Sequence, residues 1–537
     1  MKNELLAAVN RSMLSSEADP IPHIIGEMCS CKEMLELGWR VEEEFGQIWI
    51  GVAHQQAVRR LQGWKLHVSA AIPCAESVLR QALAVLLAEP TRFKVASSLS
   101  RLADLNQGRA GLSQIGKFIT IYPSDDEQCI RLAVRLDEVT RGLRGPAIPS
   151  DLALRPGSLI YYRYGSFSEQ LIADREGRPR AVIATSPGEL IEDRRALTYH
   201  EPVGVKNPFL TAGFAGASTS HPILLQDRFL PIAPLHQSAQ SIIYEAVDLQ
   251  LARRCVLKRA RRDALLDRYH RDAHDILRHE AHILSRLETV LSVPKTYALF
   301  KQDDDLWLAM DYIEGTLLKD YIKNQSHKAE HLPLGLLISW ARELAFMLDK
   351  LHQAGIIYRD LKSANIIVTP DSFLRLIDFG ISYDLASSDP QFYGGTRGYS
   401  SPQQNTNEPA SIADDIYSFG ALLYLLATGV EPAEAPHEVA LLKRPLTVLN
   451  PNLPDTLCQI ISRCLAPRPQ DRFTCMQKIV AELQMVQDSS PISIIHTLDK
   501  VPANELDSYY SYACELGETL QVVVQTARRG KGLFGHS

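Results

Sequence analysis

Apolar and polar positions along this 537-residue chain change period several times, and each change marks an element. Trp64-Lys65-Leu66-His67-Val68-Ser69 alternates strictly. A period of two puts Trp64, Leu66 and Val68 on one face of a strand and Lys65, His67 and Ser69 on the other. Arg92 to Ala96, Gly116 to Pro123 and Leu159 to Gly165 predict further short strands, which carry Lys94, Lys117 and Arg163. Glu76 to Glu89 predicts a helix closed by Pro90. Asp125 to Leu143 predicts another, because Cys129, Leu132, Ala133, Leu136 and Val139 recur at helical spacing. Its acidic start, Asp125 and Asp126, suits the positive end of a helix dipole. Met1 to Glu44 reads as helices with a polar break near Ser15 to Pro22.

Further on, Arg228 to Pro234, Cys255 to Lys258 and Leu306 to Met310 predict strands, and Asp272 to Leu287 a helix. Leu336 to Gln353 predicts a long helix whose buried stripe is Leu337, Trp340, Ala341, Leu344, Leu348 and Leu351. Glu201 to Pro222 is rich in glycine, proline and small hydroxyl residues and reads as a linker. Asn504 to Thr526 predicts one last helix. The chain is thus a multidomain α+β protein: an N-terminal α+β domain at 1–201 with a helical start, a linker at 202–226, a second domain at 227–488, and a helical tail at 489–537.

Composition narrows the class. Hydrophobic residues make up 45% and charged residues 22%, enough for an ordinary core in each domain. A net charge of −6 argues against a general nucleic-acid or membrane surface. Of nine cysteines only Cys29-Ser30-Cys31 approaches a motif, and it lacks a second Cys/His pair at zinc spacing. The thiols read as free in a reducing cytoplasm. No stretch has the length of a signal-peptide core or a membrane span, so the chain reads as cytoplasmic, with no nucleic-acid or membrane partner.

Two sets of residues carry chemistry. Lys65, His67, Lys94, Arg109, Lys117 and Arg163 all lie on or beside strand-like segments of the first domain. A lone strand face bearing Lys and His is ordinarily a solvated edge. Six such residues converging would form a cationic pocket with one titratable histidine, suited to a phosphorylated substrate. The second set is Tyr358-Arg359-Asp360-Leu361-Lys362-Ser363-Ala364-Asn365 followed by Asp378-Phe379-Gly380. Phosphoryl transfer needs a carboxylate to orient the attacking hydroxyl (Asp360), a cation near the moving phosphate (Lys362), and oxygen ligands for Mg2+ (Asn365 and Asp378).

The second set resembles the catalytic loop and metal-binding turn of protein kinases, which implies a bilobal protein-kinase-like domain using ATP or another NTP with Mg2+. On that resemblance Lys258 grips the α- and β-phosphates and Glu280 pairs with it, Glu288 being the rival; Met310 is the gatekeeper, and the backbones of Asp311 and Ile313 meet the purine. Asp415 matches the residue that anchors the catalytic loop. Three departures stand out. Tyr358 replaces the usual His, at a structural position. Gln403 replaces the Glu that pairs with a buried Arg, here Arg472, and can still hydrogen-bond it. The phosphate-covering loop, Leu235 to Tyr244, has no glycine: His236, Ser238 and Ser241 stand at the glycine positions, with Ser238 the phosphate-loop candidate.

Gln62 to Ala70, Gly116 to Pro123 and Arg155 to Gly165 resemble the N-terminal lyase domain of class III lanthipeptide synthetases, a domain related to the phosphothreonine lyases. The resemblance implies elimination of phosphate from phosphoserine or phosphothreonine, with Lys94 as base, His67 as acid, and Lys65, Arg109, Lys117 and Arg163 holding the phosphate; Arg101 is the rival of Arg109. A lysine serves as base near neutral pH only with a depressed pKa, which surrounding cations favour. The whole chain then reads as a bifunctional peptide dehydratase. Its kinase phosphorylates Ser or Thr of a ribosomal precursor (leader) peptide, and its lyase leaves dehydroalanine or dehydrobutyrine. Full-length class III synthetases continue into a cyclase domain, and this chain reads as stopping before it; a chain cut short, a separate cyclase or decarboxylase as partner, and a different closing step all stay open. Two other readings stand beside this one. One is a signalling Ser/Thr protein kinase with a binding or sensory N-terminal domain. The other is a non-catalytic peptide-binding scaffold, suggested by the glycine-free loop.

Overall fold

Alternation along Trp64 to Val68 fixes a central strand, and the first sheet is built outward from it. A computed structural model of the chain describes residues 19–30, 32–43, 48–168, 171–173, 179–185, 189–193, 199, 201–214, 224–326, 331–432 and 446–486. These form two units: residues up to 278 together with 297–310, and 279–296 together with residues from 311 onward. The expected helix Asn504 to Thr526 and all residues before Asp19 lie outside the described residues.

In the first unit, β1 (Trp39–Glu43), β2 (Trp49–His54), β3 (Gln62–Val68), β4 (Arg92–Ala96), β5 (Ile119–Tyr122), β6 (Leu152–Ala153) and β7 (Ile160–Ser166) form one sheet. Their order is β1-β2-β4-β5-β3-β7-β6, and every neighbouring pair is antiparallel. The helices Ala75–Leu86 and Asp126–Val139 contribute Val78, Leu79, Ala82, Leu132, Ala133 and Leu136 to the same core as Trp64, Leu66, Val68, Phe93 and Ile121. Asp125 caps the second helix by accepting the Gln128 N–H at 2.7 Å, as its acidic start predicts. β3 is no edge: it lies between β5 and β7, and its polar face is covered too, with His67 2% and Ser69 0% exposed. The solvated-edge reading of this strand is therefore excluded.

Two sequence expectations change. Trp39 to Glu43 is a strand rather than part of a helical start; Trp39 and Val41, two residues apart, both turn to the core. The stretch read as a linker opens packed: Phe209, on the short helix Pro208–Thr211, is fully buried and stacks on Tyr162 at 3.8 Å between ring centroids. A small sheet of β8 (Leu171–Ala173), β9 (Pro179–Ala184) and β10 (Leu190–Glu192) follows β7.

The first unit also holds β11 (Phe229–Gln237), β12 (Ser241–Asp248), β13 (Arg253–Ala260), β14 (Thr296–Gln302) and β15 (Asp305–Asp311), in the order β11-β12-β13-β15-β14. β11 runs past the expected Pro234 to Gln237, which shortens the phosphate-covering loop to the turn Ser238-Ala239-Gln240.

The second unit is mainly helical. The helix Leu334–Gln353 buries the stripe read from the sequence, Leu337, Trp340, Ala341, Leu344, Leu348 and Leu351. It shares a core with the helices Ile412–Thr428, Asp455–Cys464 and Met476–Gln484. Helix Ile412–Thr428 starts in a capping box of Ser411 and Asp414 and stops at Gly429, whose φ of +71° suits glycine. Midway, Gly420 lets two helices touch: a Cβ there would stand 2.5 Å from the Cys464 Cβ. Asp415, the expected anchor of the catalytic loop, is on the same helix. Overpacking a core costs about 1–3 kcal/mol. Gly420→Ala is expected to lower the unfolding free energy of the full chain by about that amount, measured by urea titration.

Candidate functional site

Register pairs bring Lys65, His67, Lys94 and Arg163 of the first set onto one face. Gly51 of β2 faces Lys94 of β4, Lys94 faces Thr120 of β5, Thr120 faces His67 of β3, and His67 faces Tyr161 of β7. Directly paired residues share a sheet face, so these five form one row. Two residues along, Lys65 faces Arg163 on the same side. Adjacent strands lie about 4.8 Å apart, which puts Lys94 and His67 two strand spacings from each other with Thr120 between.

Partners hold each cation in place. His67 is bonded through Nδ1 to the carboxylate of Asp151, which is fully buried. Lys117, 4% exposed, places Nζ 3.3 Å from the other oxygen of Asp151, and the Ser150 hydroxyl donates to that oxygen at 2.8 Å. Arg163, also 4% exposed, donates to Asp193 at 2.8 Å. Lys65 donates to the Ser166 carbonyl at 2.9 Å. The Lys94 ammonium sits 4.6 Å from the centre of the Trp49 ring, a cation–π contact. Arg109 stands elsewhere: it is on the loop after the helix Leu99–Asn106, more than a third exposed, and paired with Asp104 at 3.3 Å. Its rival Arg101 is tied to the same Asp104 at 3.3 Å.

Lys65, Lys94, Lys117 and Arg163 set four positive charges against the two negative charges of Asp151 and Asp193. With Lys94 protonated the balance is two positive charges, and with Lys94 as the neutral amine it is one, so the face carries net positive charge toward a phosphate in either form. Burial pushes the His67 pKa from 6.5 down to about 3, with the Lys117 and Lys65 charges adding to the shift and Asp151 opposing it. Burial raises the Asp151 pKa, but the Lys117 charge and the hydrogen bond from His67 outweigh it and hold the group below its usual range. Asp151, Asp193 and Thr120 are the members that sequence reasoning missed. Asp151 follows Pro149-Ser150 and reads as a turn residue. Only the alternation of β5, which puts Thr120 opposite Ile119 and Ile121, hints at its place.

In the second unit the catalytic loop forms a closed polar network. Asp360 accepts from Lys362 at 2.7 Å and from the Asn365 amide at 2.8 Å through one oxygen, and from the Thr396 hydroxyl at 2.9 Å through the other. Lys362 also donates to the Thr396 hydroxyl at 3.0 Å. Burial raises the Asp360 pKa; Lys362 lowers it and Asp378 raises it further. Asn365 spends its nitrogen on Asp360, which leaves its side-chain oxygen; that oxygen and the Asp378 carboxylate are hard oxygen donors that could hold a divalent cation. Asp415 accepts the N–H groups of Tyr358 at 2.8 Å and Arg359 at 2.7 Å, so it anchors the loop as expected. Tyr358 takes over the structural role of the usual His: its hydroxyl donates to the Ile377 carbonyl, and its ring meets Phe379 edge-on at 5.0 Å. Arg472 donates to the Gln403 side-chain oxygen at 2.7 Å and to three backbone carbonyls, so a neutral Gln suffices. Glu280, 2% exposed, accepts the Phe379 N–H at 3.3 Å. The Asp311 N–H donates to the Lys295 carbonyl at 2.9 Å.

In the first unit Lys258 lies on β13 opposite Ile243 of β12, and Met310 on β15 is buried in the manner of a core residue. The Ser238 hydroxyl and the Ser241 N–H meet at 3.1 Å, and the Ser238 N–H donates back to the Ser241 carbonyl at 2.9 Å. Arg261 supports this turn from beneath, donating to the Ala239 carbonyl at 3.0 Å. No residue from 235 to 244 has a positive φ, so the backbone of the turn itself does not require glycine.

Comparison with known proteins agrees with both halves. Residues 27–221 match the RamC N-terminal domain, and residues 237–483 match the protein kinase domain. A probable SapB synthase of Streptomyces coelicolor is 27% identical over 429 residues, 78% of this chain and 43% of the relative. A probable serine/threonine-protein kinase of Clostridium acetobutylicum is 27% identical over 278 residues, 50% of this chain and 41% of the relative. The serine/threonine-protein kinase PknL of Mycobacterium tuberculosis is 27% identical over 287 residues, 51% of this chain and 69% of the relative. The chain spans less than half the length of the first two. No helix among the described residues is long and apolar enough to cross a membrane. The chain joins a RamC N-terminal domain to a protein kinase domain, the pairing that underlies its likeness to the class III lanthipeptide synthetases.

Proposed function

We propose that the chain dehydrates Ser or Thr residues of a ribosomal precursor peptide in two steps, phosphorylation by the kinase domain and elimination of phosphate by the N-terminal domain. The observation that carries the second step is the row Lys94–Thr120–His67, flanked by Lys65, Lys117 and Arg163 on a largely buried sheet face. Such a face takes up a phosphorylated side chain and excludes water from it.

In the first step Asp360 orients the substrate hydroxyl and accepts its proton, while Lys362 and Thr396 hold that carboxylate at both oxygens. Asn365 and Asp378 would hold Mg2+, which neutralises phosphate charge when bound. Lys258 belongs with the nucleotide phosphates, and Ser238 closes the turn that covers them. In the second step Lys65, Lys117 and Arg163 bind the phosphate. Lys94, as the neutral amine, removes the α-proton. The electron pair forms the Cα–Cβ double bond, the Cβ–O bond breaks, and the leaving phosphate takes a proton from His67. Asp151 holds Nδ1, so Nε2 is the nitrogen presented to the phosphate. His67 is neutral in the resting site; an arriving phosphate dianion favours its protonation, which couples the acid to substrate binding. With both sites on one chain, the phosphopeptide meets the second site at raised effective concentration.

General acid–base groups contribute roughly 100- to 10,000-fold. In Lys94→Ala, elimination from a synthetic phosphoserine peptide is expected to fall by at least about 100-fold. Incubation with a precursor peptide, ATP and magnesium should then accumulate phosphopeptide by mass spectrometry. Unchanged dehydration would refute the lyase assignment. Asp360→Asn should stop phosphorylation of the same precursor and leave elimination from the pre-phosphorylated peptide intact. Phosphorylation that persists in this variant would refute the kinase assignment.

The His67 shift also predicts a pH dependence of stability. Its folded pKa, about 3, lies below the unfolded value of 6.5, so the unfolded chain binds the extra proton first. The contribution is complete above pH 6.5 and is lost as pH falls toward 3. Calorimetric unfolding of the full chain should show a transition that weakens between about pH 6.5 and pH 4.5, before ordinary carboxylates titrate. His67→Gln should flatten that dependence. A slope unchanged by the substitution would assign the effect to other groups.

A further inference from the structure

The stretch matching the RamC domain reaches into the stretch matching the kinase through one side chain. Arg144 uses all three of its guanidinium nitrogens there: Nε donates to Asp263 at 2.5 Å, one Nη to the His270 carbonyl at 3.2 Å and the other Nη to Asp272 at 3.2 Å. Asp263 and Asp272 are 3% and 4% exposed. They bracket the segment that leads into the helix Ala273–Leu287.

Asp272 is the start of that helix. One oxygen accepts the His274 N–H at 2.9 Å, and the other accepts the Asp263 N–H at 2.8 Å beside Arg144. The Asp272 N–H in turn donates to Asp275 at 3.0 Å, which completes a reciprocal cap. The intervening segment holds three non-glycine residues at positive φ, Asp263, Leu265 and His270, a conformation that persists only where surroundings impose it. Arg144 supplies that imposition from both ends. It also helps neutralise two buried carboxylates, one of which, Asp263, meets Arg262 as well, at 3.3 Å. Eight residues after Asp272, about two turns on, the same helix carries Glu280. Placement of this helix and its glutamate controls whether a protein kinase is competent.

We propose that Arg144 is a positioning residue for phosphoryl transfer: the N-terminal domain, through this guanidinium, sets the start of the helix that carries Glu280. The proposal rests on the kinase half of the function above and is independent of the lyase half.

The test uses the full chain with Arg144→Ala and Arg144→Lys. Three quantities are read: ADP release from ATP and magnesium, amide hydrogen exchange over residues 273–287, and phosphate release from a synthetic phosphoserine peptide. Arg144→Ala should lower kcat for ADP release at least tenfold and speed exchange in the first turns of the helix. Phosphate release should stay within twofold of the parent. Arg144→Lys, which keeps the charge but not the three-way fork, should restore part of kcat. Unchanged ADP release in Arg144→Ala overturns the proposal, as does equal loss of both activities in Arg144→Lys, which would mark a general structural role. A parent chain that releases no phosphate from the phosphopeptide refutes the lyase half and leaves this test standing. If the parent releases no ADP, the kinase half falls and the exchange data alone decide whether Arg144 holds the helix.

Discussion

Everything proposed for the N-terminal domain depends on strand register. In an antiparallel sheet a slip of one residue turns a whole strand over. A slip of β3 would drive Trp64, Leu66 and Val68 out of the core and bury Lys65 and His67 beneath the helices. The apolar face therefore locks the polar one: the helices that cover Leu66 also decide that His67 faces Tyr161 and Thr120. Four cations gathered on a buried face repel one another, and Asp151 and Asp193 make the arrangement bearable without neutralising it. Asp151 does this for two residues at once, His67 and Lys117, so it sets both the tautomer of the histidine and the seat of the lysine.

The two sites solve opposite electrostatic problems. The sheet face carries excess positive charge, supplied by protein groups alone. The catalytic loop gathers the carboxylates of Asp360, Asp378 and Glu280 in one unit, and Asp360 is accordingly pushed toward its neutral form by burial and by Asp378. Such a site takes a phosphate only together with a cation, and Lys362 is the one protein cation in the network around Asp360 described here. On the function proposed above, a phosphate added at the second kind of site becomes a ligand for the first kind, which would give a chemical basis for placing them in sequence.

Much of this was legible in the sequence because it rests on short periods. The alternation at 64–69 correctly separated the apolar core face from the face that carries Lys65 and His67, the stripes at 125–143 and 336–353 named core faces, and the loop at 358–365 lies at fixed spacing along the chain. What stayed hidden depends on separation in space. Asp151 lies 84 residues from His67, and Asp193 lies 30 from Arg163; each is an ordinary loop acid until the sheet closes. Arg109 shows the converse case. Its neighbourhood has cations at plausible distances along the chain, yet its side chain turns to Asp104 on the helix just before its loop. Trp39 to Glu43 was read as helix because a five-residue strand shows only two points of its period.

The departures from the usual kinase pattern fall on supporting groups, and none falls on Asp360, Lys362, Asn365 or Asp378, the four to which the kinase resemblance gives the chemistry. Tyr358 replaces a ring that braces the loop with a larger one that still reaches a backbone carbonyl. Gln403 replaces a carboxylate, and Arg472 makes up the difference with three carbonyls. The phosphate-covering turn extends this logic. A glycine-rich loop gains close approach from the absence of side chains. This turn is a short hairpin instead, closed by Ser238 and Ser241 and braced by Arg261, whose pKa burial lowers to about 10, with the Arg259 charge adding to the shift. A turn of this kind trades flexibility for a fixed position. The entropy of ordering a loop over nucleotide is then largely removed in advance, because the hydroxyls and the guanidinium already hold it in the free protein.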